Sequence, residues 1–402
     1  MSAKLTPATL AWLRLCAQWI LPSTSASPAP GPADVVRWLT ALQGQDFPGA
    51  LWSIGLRAPG TTRADVEGAF NRGEIVRSWP LRGTLHVTAA EDLGWILGLT
   101  AGRMVSGAAS RHRQLGITTA DVGQVRDVAV ALLEPSADAG ELAAESAEGG
   151  DVRASGSSTA GCGRATRDEL FAAFEAAGQP VKGQRGIHLL WLLCQGGTLV
   201  QGPINAVAGN GNTQFFVRAE EWIKNPRVLA REQALAELAL RYFRSHGPAT
   251  VKDFQWWSKL PLKDIRTGME HVMDQLESIE CHGDTYWLAP ETAGLLAGAA
   301  PGARSVVLLP GFDEYLLGYT DRSAALAPHH APLTVPGGNG MFKATVVAGG
   351  RVAGTWRKAQ GSAEKQREVA GVVLPDLFGE LTPNQTKVLE RSAKAYAKFL
   401  AR

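Results

Sequence analysis

The stretch TVKDFQWWSKLPLKDIRTGMEHVMDQLESIECHGDTYWLAP, residues 250–290, contains the signals of three successive structural elements. Thr250 and Asp253, three residues apart, form a capping box, which is typical of a helix start. Apolar residues at helical spacing predict a second helix over residues 262–277. The alternating residues that follow, around a His-Gly-Asp turn, predict a two-stranded hairpin. Because residues 229–247 have the pattern of another amphipathic helix, the predicted order is helix, threonine-capped helix, helix and hairpin.

The same order occurs earlier in the chain. Thr166 and Glu169 form a capping box at the start of TRDELFAAFEAAG (166–178), and QRGIHLLWLLCQGG (184–197) predicts the next helix. The segments TLVQGP and TQFFVRAEEW then alternate like a two-stranded wing. This is the order of the winged helix, a helix-turn-helix variant with a β-hairpin.

The first hundred residues fit the same order more loosely. Helices are predicted at 5–20, 33–43 and 62–74, and strands at 75–81 and 83–89. We therefore predict an α+β fold in which three tandem winged-helix modules are followed by a small antiparallel β-domain and a C-terminal helix. The predicted domains are residues 1–120, 121–227, 228–295 and 296–402.

The last domain is predicted from a change in composition after Pro301. β-Branched runs broken by glycine and proline predict strands at 304–319, 331–335, 342–358 and 367–374. The sequence AGGRVAG indicates a hairpin with a Gly-Gly turn. A final helix is predicted with Thr382 as its N-cap and Pro383 at its first position.

Two segments have the composition of loops. Residues 136–164, within the second module, are rich in alanine, glycine and serine and have hardly any large apolar residue. Such a segment cannot bury enough surface to offset its ordering entropy, so a flexible insertion is predicted. A shorter proline-rich stretch at 22–34 is predicted to be a loop of the first domain.

The composition limits the classes of protein and partner. Hydrophobic residues make up 45% and charged residues 19% of the 402 residues, which is typical of a globular chain. The net charge of +2 requires that an anionic partner be bound by local basic patches. Four widely spaced cysteines indicate neither structural zinc nor a disulfide framework. With no leader pattern and no apolar run of the ~18 residues that span a bilayer, a cytoplasmic protein without membrane contact is predicted.

The segment LQGQD (42–46) contains two glutamines, Gln43 and Gln45. If the preceding helix ended here, Gly44 would be its left-handed C′ residue, and both side chains would aim one way. Each amide offers a carbonyl acceptor and two N–H donors, so the pair can hold a water without carrying charge. The alternative is that they cap helix-end carbonyls or face solvent, and the spacing alone favours this alternative.

Basic and polar residues recur at two further places. Arg77, Arg82, Thr84 and His86 lie in or beside the strands predicted at 75–89, where Arg82 and His86 are candidates for contact with phosphate or a base. An ordinary charged strand is an equally good interpretation.

Lys182 and Arg185 stand at the start of the helix predicted at 184–197. In the winged-helix order this is the third helix of the module, which is the position of a recognition helix. Asp313 and Glu314 are candidate acids, although a structural role at the strand-to-turn junction is the favoured interpretation. No phosphate-binding loop, nucleophile elbow or zinc-protease motif is present, and neither a metal nor a cofactor is predicted.

Three of these segments resemble the bacterial winged-helix family around AlkZ and YcaQ. They are LQGQD with ALWSIGLR, LRGTLHVT, and VVLLPGFDEYLLGYTDR with GTWRK, and the resemblance extends over nearly the whole chain except 136–164. It implies a DNA glycosylase that releases N7-alkylated purines and, in some members, unhooks interstrand crosslinks. It places the Gln-hydrophobic-Gln motif of the AlkZ-like branch on Gln43, Gly44 and Gln45, with glycine where that branch has a hydrophobic residue.

The resemblance is consistent with the chemistry of two amides. An N7-alkylpurine is already cationic, so its glycosidic bond breaks without a strong general acid, and neutral side chains suffice to place a water. Without a lysine at the motif, a monofunctional glycosylase is predicted. Three modules in one chain reduce the need for dimerisation, so a monomer that acts on double-stranded DNA with an alkylated purine is predicted. The alternatives are a non-catalytic winged-helix regulator that binds DNA, and a protein-interaction scaffold suggested by the 12 tryptophans.

Overall fold

A computed structural model describes residues 5–21, 30–134, 163–206, 213–281, 283–297, 304–338, 340–359 and 368–401. The chain forms two compact units. The first is discontinuous and consists of Met1–Val66 with Leu229–Arg402, and the second is Glu67–Val228. Helices and antiparallel sheets build the chain, which confirms the predicted α+β class. Within these ranges no helix has the length and apolar character needed to cross a membrane.

The first unit contains ten α-helices of very different length within the described residues. They are Pro7–Ala17, Pro32–Leu39, Phe47–Arg57, Arg231–His246, Val251–Ser258, Leu262–Glu270, Pro290–Gly294, Glu314–Leu317, Ala331–Thr334 and Pro383–Leu400. Short 3-10 turns lie at Met273–Gln275, Leu295–Ala297, Pro328–His330 and Pro336–Gly338. A further helix, Arg63–Asn71, includes the point at which the chain leaves this unit.

The strands of the first unit are antiparallel. Glu277–Cys281 and Asp284–Leu288 form the predicted hairpin, whose turn residue His282 lies outside the described residues. The C-terminal sheet has four strands in the order Val373–Leu377, Arg351–Lys358, Thr345–Ala348 and Val306–Leu309. Its central turn has positive φ at both Gly349 (57°) and Gly350 (83°), as a two-residue hairpin loop requires, so the predicted Gly-Gly turn is confirmed.

Aromatic side chains attach two helices to this sheet. The indole N–H of Trp52 donates to the Leu308 carbonyl at 2.7 Å, and that of Trp356 donates to the Leu309 carbonyl at 2.8 Å. Tyr396, from the C-terminal helix, packs edge-on against both indoles at centroid distances of 5.0 Å. The helix Phe47–Arg57, which follows the LQGQD segment directly, is therefore fixed on a rigid support.

The second unit combines helices with four neighbouring antiparallel strands. The strands lie in the order Thr84–Ala89, Ile75–Leu81, Leu199–Ile204 and Gln214–Arg218. The helices are Leu93–Gly107, Ala109–Gln114, Thr119–Leu133, Arg167–Ala176, Arg185–Gln195 and Ala219–Trp222, with a 3-10 turn at Ala90–Asp92. The three helices between residues 93 and 133 are not among the predicted elements. Glycines at 94, 98, 102 and 107 weaken the helical signal of the first of them.

The predicted capping boxes are confirmed. The Thr250 N–H donates to Asp253 Oδ2 at 3.0 Å, and the Asp253 N–H donates to Thr250 Oγ1 at 3.1 Å. Thr166 and Glu169 make the same pair of bonds, at 2.8 and 3.2 Å. Thr382 caps the last helix, with Pro383 at its first position. Each cap satisfies helix N–H groups that have no partner within the helix.

Several predicted boundaries are wrong. The expected strand at 331–335 is a helical turn, since Pro332 has a fixed φ that suits the first turn of a helix and lacks the N–H that a strand would use. The expected strand at 304–319 ends at Leu309, after which a helical turn begins at Glu314. In the predicted loop at 22–34, residues 22–29 lie outside the described residues, and a helix begins at Pro32. The predicted insertion at 136–164 also lies outside them, except for Gly163 and Arg164.

Candidate active site

The two glutamines lie between two helices rather than at the end of one. The helix Pro32–Leu39 ends earlier than predicted, and its last turn is followed by Thr40, whose φ is +67°. Leu42 and Gln43 are extended. The prediction that Gly44 is the left-handed C′ residue is therefore wrong. All residues from 39 to 44 are buried, and a helix with one polar face cannot bury such a continuous run.

Gln43 is a buried residue that shapes the turn. Its side chain is 9% exposed, and its Oε1 accepts the backbone N–H of Gln45 at 2.7 Å. Its own backbone N–H donates to Oε1 of Glu314 at 3.2 Å. Because a backbone N–H can only donate, the Gln43 amide is oriented with its oxygen toward Gln45 and its nitrogen on the opposite side.

Gln45, in contrast, is exposed, as is Asp46 after it. Asp46 caps the helix Phe47–Arg57, where its Oδ1 accepts the Gly49 N–H at 3.2 Å. This helix is not among the predicted elements, although an aspartate followed by Phe-Pro is a recognisable N-cap signal. The hydrogen bond joins the side chain of Gln43 to the main chain of Gln45. One glutamine is buried and the other exposed, so the two side chains occupy different environments.

A buried ion pair fixes the far end of this helix. Arg57 donates to both carboxylate oxygens of Asp313 at 2.8 Å, and Ser53 Oγ donates to Asp313 Oδ2 at 2.8 Å. Arg57 Nε also donates to the Gln18 carbonyl at 2.9 Å. Asp313 in turn caps the helical turn Glu314–Leu317 through the Tyr315 N–H. The favoured interpretation of Asp313 as a structural residue is confirmed by these contacts.

In the second unit, Arg82, Thr84 and His86 form one cluster at a hairpin tip. Arg82 (φ 53°) and Gly83 (φ 69°) make the turn. His86 Nδ1 lies 2.8 Å from the Thr84 carbonyl, and His86 Nε2 lies 3.0 Å from the Arg82 guanidinium. A carbonyl only accepts and a guanidinium only donates, so His86 is a neutral imidazole with its proton on Nδ1. His86 is fully buried and supports Arg82, which is half-buried.

Arg77 lies further along the same strands. It is 8% exposed and donates to the side-chain oxygens of Gln201 at 3.0 Å and Gln214 at 3.4 Å. It lines an open cavity of about 360 Å³ together with Trp79 and Phe216. Arg77 thus contacts side chains of the two neighbouring strands, Leu199–Ile204 and Gln214–Arg218.

The two basic residues at the helix Arg185–Gln195 have different surroundings. Lys182 is exposed. Arg185 lies 3.3 Å from Asp121 and donates to the Pro180 carbonyl at 3.0 Å. Hydrogen bonds from the Thr118 backbone and side chain, with the Arg185 charge as a smaller contribution, lower the pKa of Asp121 below its ordinary value. In the described parts of the chain, no three His, Cys, Asp or Glu side chains converge as a metal site would require.

Comparison with known proteins assigns the class. Residues 36–399 match the family model described as "DNA glycosylase AlkZ-like", and the chain belongs to this family of DNA glycosylases. An interstrand DNA cross-link repair glycosylase of Streptomyces sahachiroi is 27% identical over 360 residues, which cover 86% of each chain. The solved structure of the Streptomyces sahachiroi DNA glycosylase AlkZ has the same fold, with a TM-score of 0.73 at 24% identity over 99% of this chain and 98% of that one.

Proposed function

We propose that this DNA glycosylase hydrolyses the N-glycosidic bond of N7-alkylated purines in double-stranded DNA, including purines crosslinked between the strands, with Gln43 and Gln45 as its catalytic residues. The observation that supports this most directly is the 2.7 Å bond from the Gln45 N–H to Gln43 Oε1, which binds the Gln43 side chain to the Gln45 main chain within one turn. The crosslink repair named for the Streptomyces sahachiroi relative extends to this chain as part of the proposal.

The reaction depends mainly on the cationic purine, which is a good leaving group. The bond between C1′ and N9 breaks with its electron pair going to the purine, which neutralises the charge that alkylation at N7 created. The sugar becomes an oxocarbenium ion, a water oxygen forms the new bond to C1′, and the proton of that water passes to solvent. The protein must place the water and stabilise the cation, and neither task needs a metal or a basic side chain.

The two amides have different roles in this proposal. Gln45 is exposed, so its carbonyl and amide groups are the ones that hold the attacking water. Gln43 is buried, and its oxygen is committed to the Gln45 main chain. It therefore maintains the turn and presents Nε2 as a donor. A neutral pair also avoids the desolvation that a buried carboxylate would suffer beside the substrate.

The proposed DNA-binding elements are winged-helix modules. We propose tandem winged-helix modules over residues 1–120, 121–227 and 228–295, with the β-domain and last helix at 296–402, in a monomeric cytoplasmic protein. The helix, capped helix, helix and hairpin between residues 231 and 288 support the third module.

Six residues form the proposed DNA-binding set: Arg77, Arg82, Thr84, His86, Lys182 and Arg185. Within it we assign direct phosphate contact to Lys182, which is exposed, and to Arg82, which lies at a hairpin tip. Arg77, His86 and Arg185 have partners inside the protein and support the DNA-contacting surface from within. The Thr84 carbonyl orients His86.

The experiment compares release of abasic sites from two substrates, a duplex with one N7-methylguanine and a duplex crosslinked between guanine N7 atoms. We expect single-turnover cleavage by the wild type and a loss of about 100-fold or more in Gln43→Ala and Gln45→Ala. Two glutamines elsewhere provide matched controls: Gln195→Ala, buried like Gln43, and Gln275→Ala, exposed like Gln45. Both should keep the wild-type rate.

Equal single-turnover rates in the motif variants and the matched controls would show that Gln43 and Gln45 are not catalytic residues. A wild type that releases neither base from these substrates would refute the proposed substrate class. DNA binding that prefers a sequence and ignores the lesion would instead support the regulator alternative.

A further inference from the structure

Glu314 is a buried carboxylate in direct contact with the glutamine motif. It is 1% exposed, and its Oε1 accepts the backbone N–H of Gln43 at 3.2 Å. Its Oε2 accepts the indole N–H of Trp257, which is fully buried, at 3.0 Å. One carboxylate thus satisfies two buried donors that come from distant parts of the first unit, and it gives each donor its own oxygen.

His246 lies beside Glu314, and two neighbours hold its ring. His246 Nε2 lies 3.5 Å from Oε2, and the His246 ring stacks on Tyr242 at 4.7 Å with an interplanar angle of 12°. The hydroxyl of Ser245 donates to the Arg241 carbonyl at 2.7 Å, so its oxygen accepts the Nδ1 proton of His246 at 2.8 Å. His246 is fully buried, and its contacts with Ser245 and Tyr242 fix the orientation of its ring.

A glycine permits this close approach. A Cβ atom at Gly318 would lie 2.6 Å from Cδ2 of His246 and 2.7 Å from the Glu314 carbonyl oxygen, distances that real Cβ atoms do not adopt. The turn Glu314–Leu317 can therefore lie against the helix Arg231–His246 only with glycine at 318. The absence of a Cβ atom at residue 318 thus allows the turn that carries Glu314 to pack closely against His246.

We propose that Glu314 is a positioning residue for the glycosylase reaction. Glu314 accepts the main-chain N–H of Gln43, and Gln43 Oε1 accepts the main-chain N–H of Gln45. These two successive hydrogen bonds determine the position of the two amides relative to the substrate. This inference rests on the proposed catalytic role of the two glutamines. It assigns a task to a residue that does not itself touch DNA or water in the reaction.

The chemistry requires a carboxylate at this position. The buried N–H of Gln43 needs an acceptor, and so does the N–H of Trp257. A glutamine at 314 would offer one carbonyl oxygen for two donors, so one of them would face an amide NH₂ group. An alanine would leave both without this acceptor. Because a displacement of about 1 Å in a positioned group can cost 10²-fold in rate, the effect should appear in catalysis.

The test compares Glu314→Gln and Glu314→Ala with Asp253→Asn. Asp253 is also a carboxylate with 1% exposure in the first unit. It accepts hydrogen bonds from Thr250 and Thr320 and lies 3.7 Å from Arg14. Three quantities are measured at a temperature where each variant is folded. They are hydrogen–deuterium exchange of the peptide that contains residues 42–46, and the single-turnover rate on N7-methylguanine DNA together with the Kd for that DNA.

We expect faster exchange at the Gln43 and Gln45 amides in both Glu314 variants, more so in Glu314→Ala. The rate should fall about 10-fold in Glu314→Gln and about 100-fold in Glu314→Ala, while Kd changes less than about 3-fold. Asp253→Asn should lower the unfolding temperature and leave both the exchange of this peptide and the rate at the wild-type level. If Glu314→Ala does not fold, Glu314→Gln carries the comparison alone.

Faster exchange without loss of rate would overturn the positioning role, and so would an unchanged exchange pattern. Loss of rate to the same extent in Asp253→Asn would reduce the effect to general destabilisation and also overturn it. A wild type without glycosylase activity would be a failure of the proposed function, and the exchange data would still report whether Glu314 holds the Gln43 amide.

Discussion

Arg57 and Asp313 form a buried ion pair across 256 residues of sequence, with Nη1 and Nη2 of Arg57 each 2.8 Å from a carboxylate oxygen and side chains that are 0% and 2% exposed. The pair joins the helix after the glutamine motif to the turn that carries Glu314. Replacing both charges by apolar groups can leave stability unchanged, whereas removing one partner leaves a buried charge without compensation.

Arg57→Met should therefore destabilise the first unit by about 3–5 kcal/mol, as measured by urea unfolding. The matched control is Arg72→Met. Arg72 also makes two bonds to a carboxylate, that of Glu74, at 2.8 and 3.0 Å, but its side chain is 59% exposed. Solvent screens such a pair, so this control should cost no more than about 1 kcal/mol. Equal losses in the two variants would mean that burial does not determine the strength of the Arg57 pair.

Substitutions at Gln45 should separate hydrogen bonding from bulk. Gln45→Leu keeps the size of the side chain and removes its acceptor and donors, and we expect a fall of about 100-fold in the single-turnover rate. Gln45→Glu retains two acceptor oxygens for the water, so its rate should lie between those of Gln45→Leu and the wild type. The main-chain N–H that binds Gln43 is present in both, so the unfolding temperature should hardly change. A Gln45→Leu enzyme with the wild-type rate would remove Gln45 from the mechanism.

The stability of the second unit should depend on two histidines. His112 and His188 pack at a centroid distance of 5.3 Å. Burial, and then the neighbouring His188, lower the pKa of His112 below its ordinary 6.5, while burial and then Arg111 lower that of His188. The unfolded chain binds protons at these sites near pH 6.5, where the folded unit does not. Their contribution to stability is therefore complete above pH 6.5 and declines as the pH falls toward the folded pKa values.

We expect a lower unfolding temperature at pH 5.5 than at pH 7.5, and a weaker pH dependence in His188→Asn. Thermal unfolding at constant ionic strength measures both. His271→Asn, at an exposed histidine of the first unit, should leave the dependence as in the wild type. A pH dependence that persists unchanged in His188→Asn would assign it to other groups.

Local signals allowed much of the fold to be predicted. The caps at Thr166, Thr250 and Thr382 and the turn at Gly349-Gly350 depend on residues within three or four positions of one another, and all are confirmed. The end of the helix before Gln43 was missed, because the burial of residues 39–44 is set by packing and not by the local pattern.

The support of the candidate site could not be predicted from the sequence. Glu314 meets Gln43 across 271 residues, and Trp257 completes that contact from a third segment. No periodicity or motif specifies a contact of this kind. The family resemblance assigns the motif to Gln43 and Gln45, whereas their different burial is evident only in the three-dimensional structure.

Two basic residues should contribute to DNA affinity in a salt-dependent way. Lys182 is exposed and Arg82 lies at a hairpin tip, so each can release counterions when it binds a phosphate. Lys182→Met and Arg82→Met should each weaken binding to undamaged duplex and reduce the slope of log K against log salt by about 0.9. Arg126→Met removes the same charge from the helix Thr119–Leu133 of the second unit. This change should leave the slope unchanged. Arg185→Met should mainly lower stability, because Arg185 pairs with Asp121. Fluorescence anisotropy at several salt concentrations measures the slopes, and a larger change for Arg126 than for Lys182 would contradict the assigned surface.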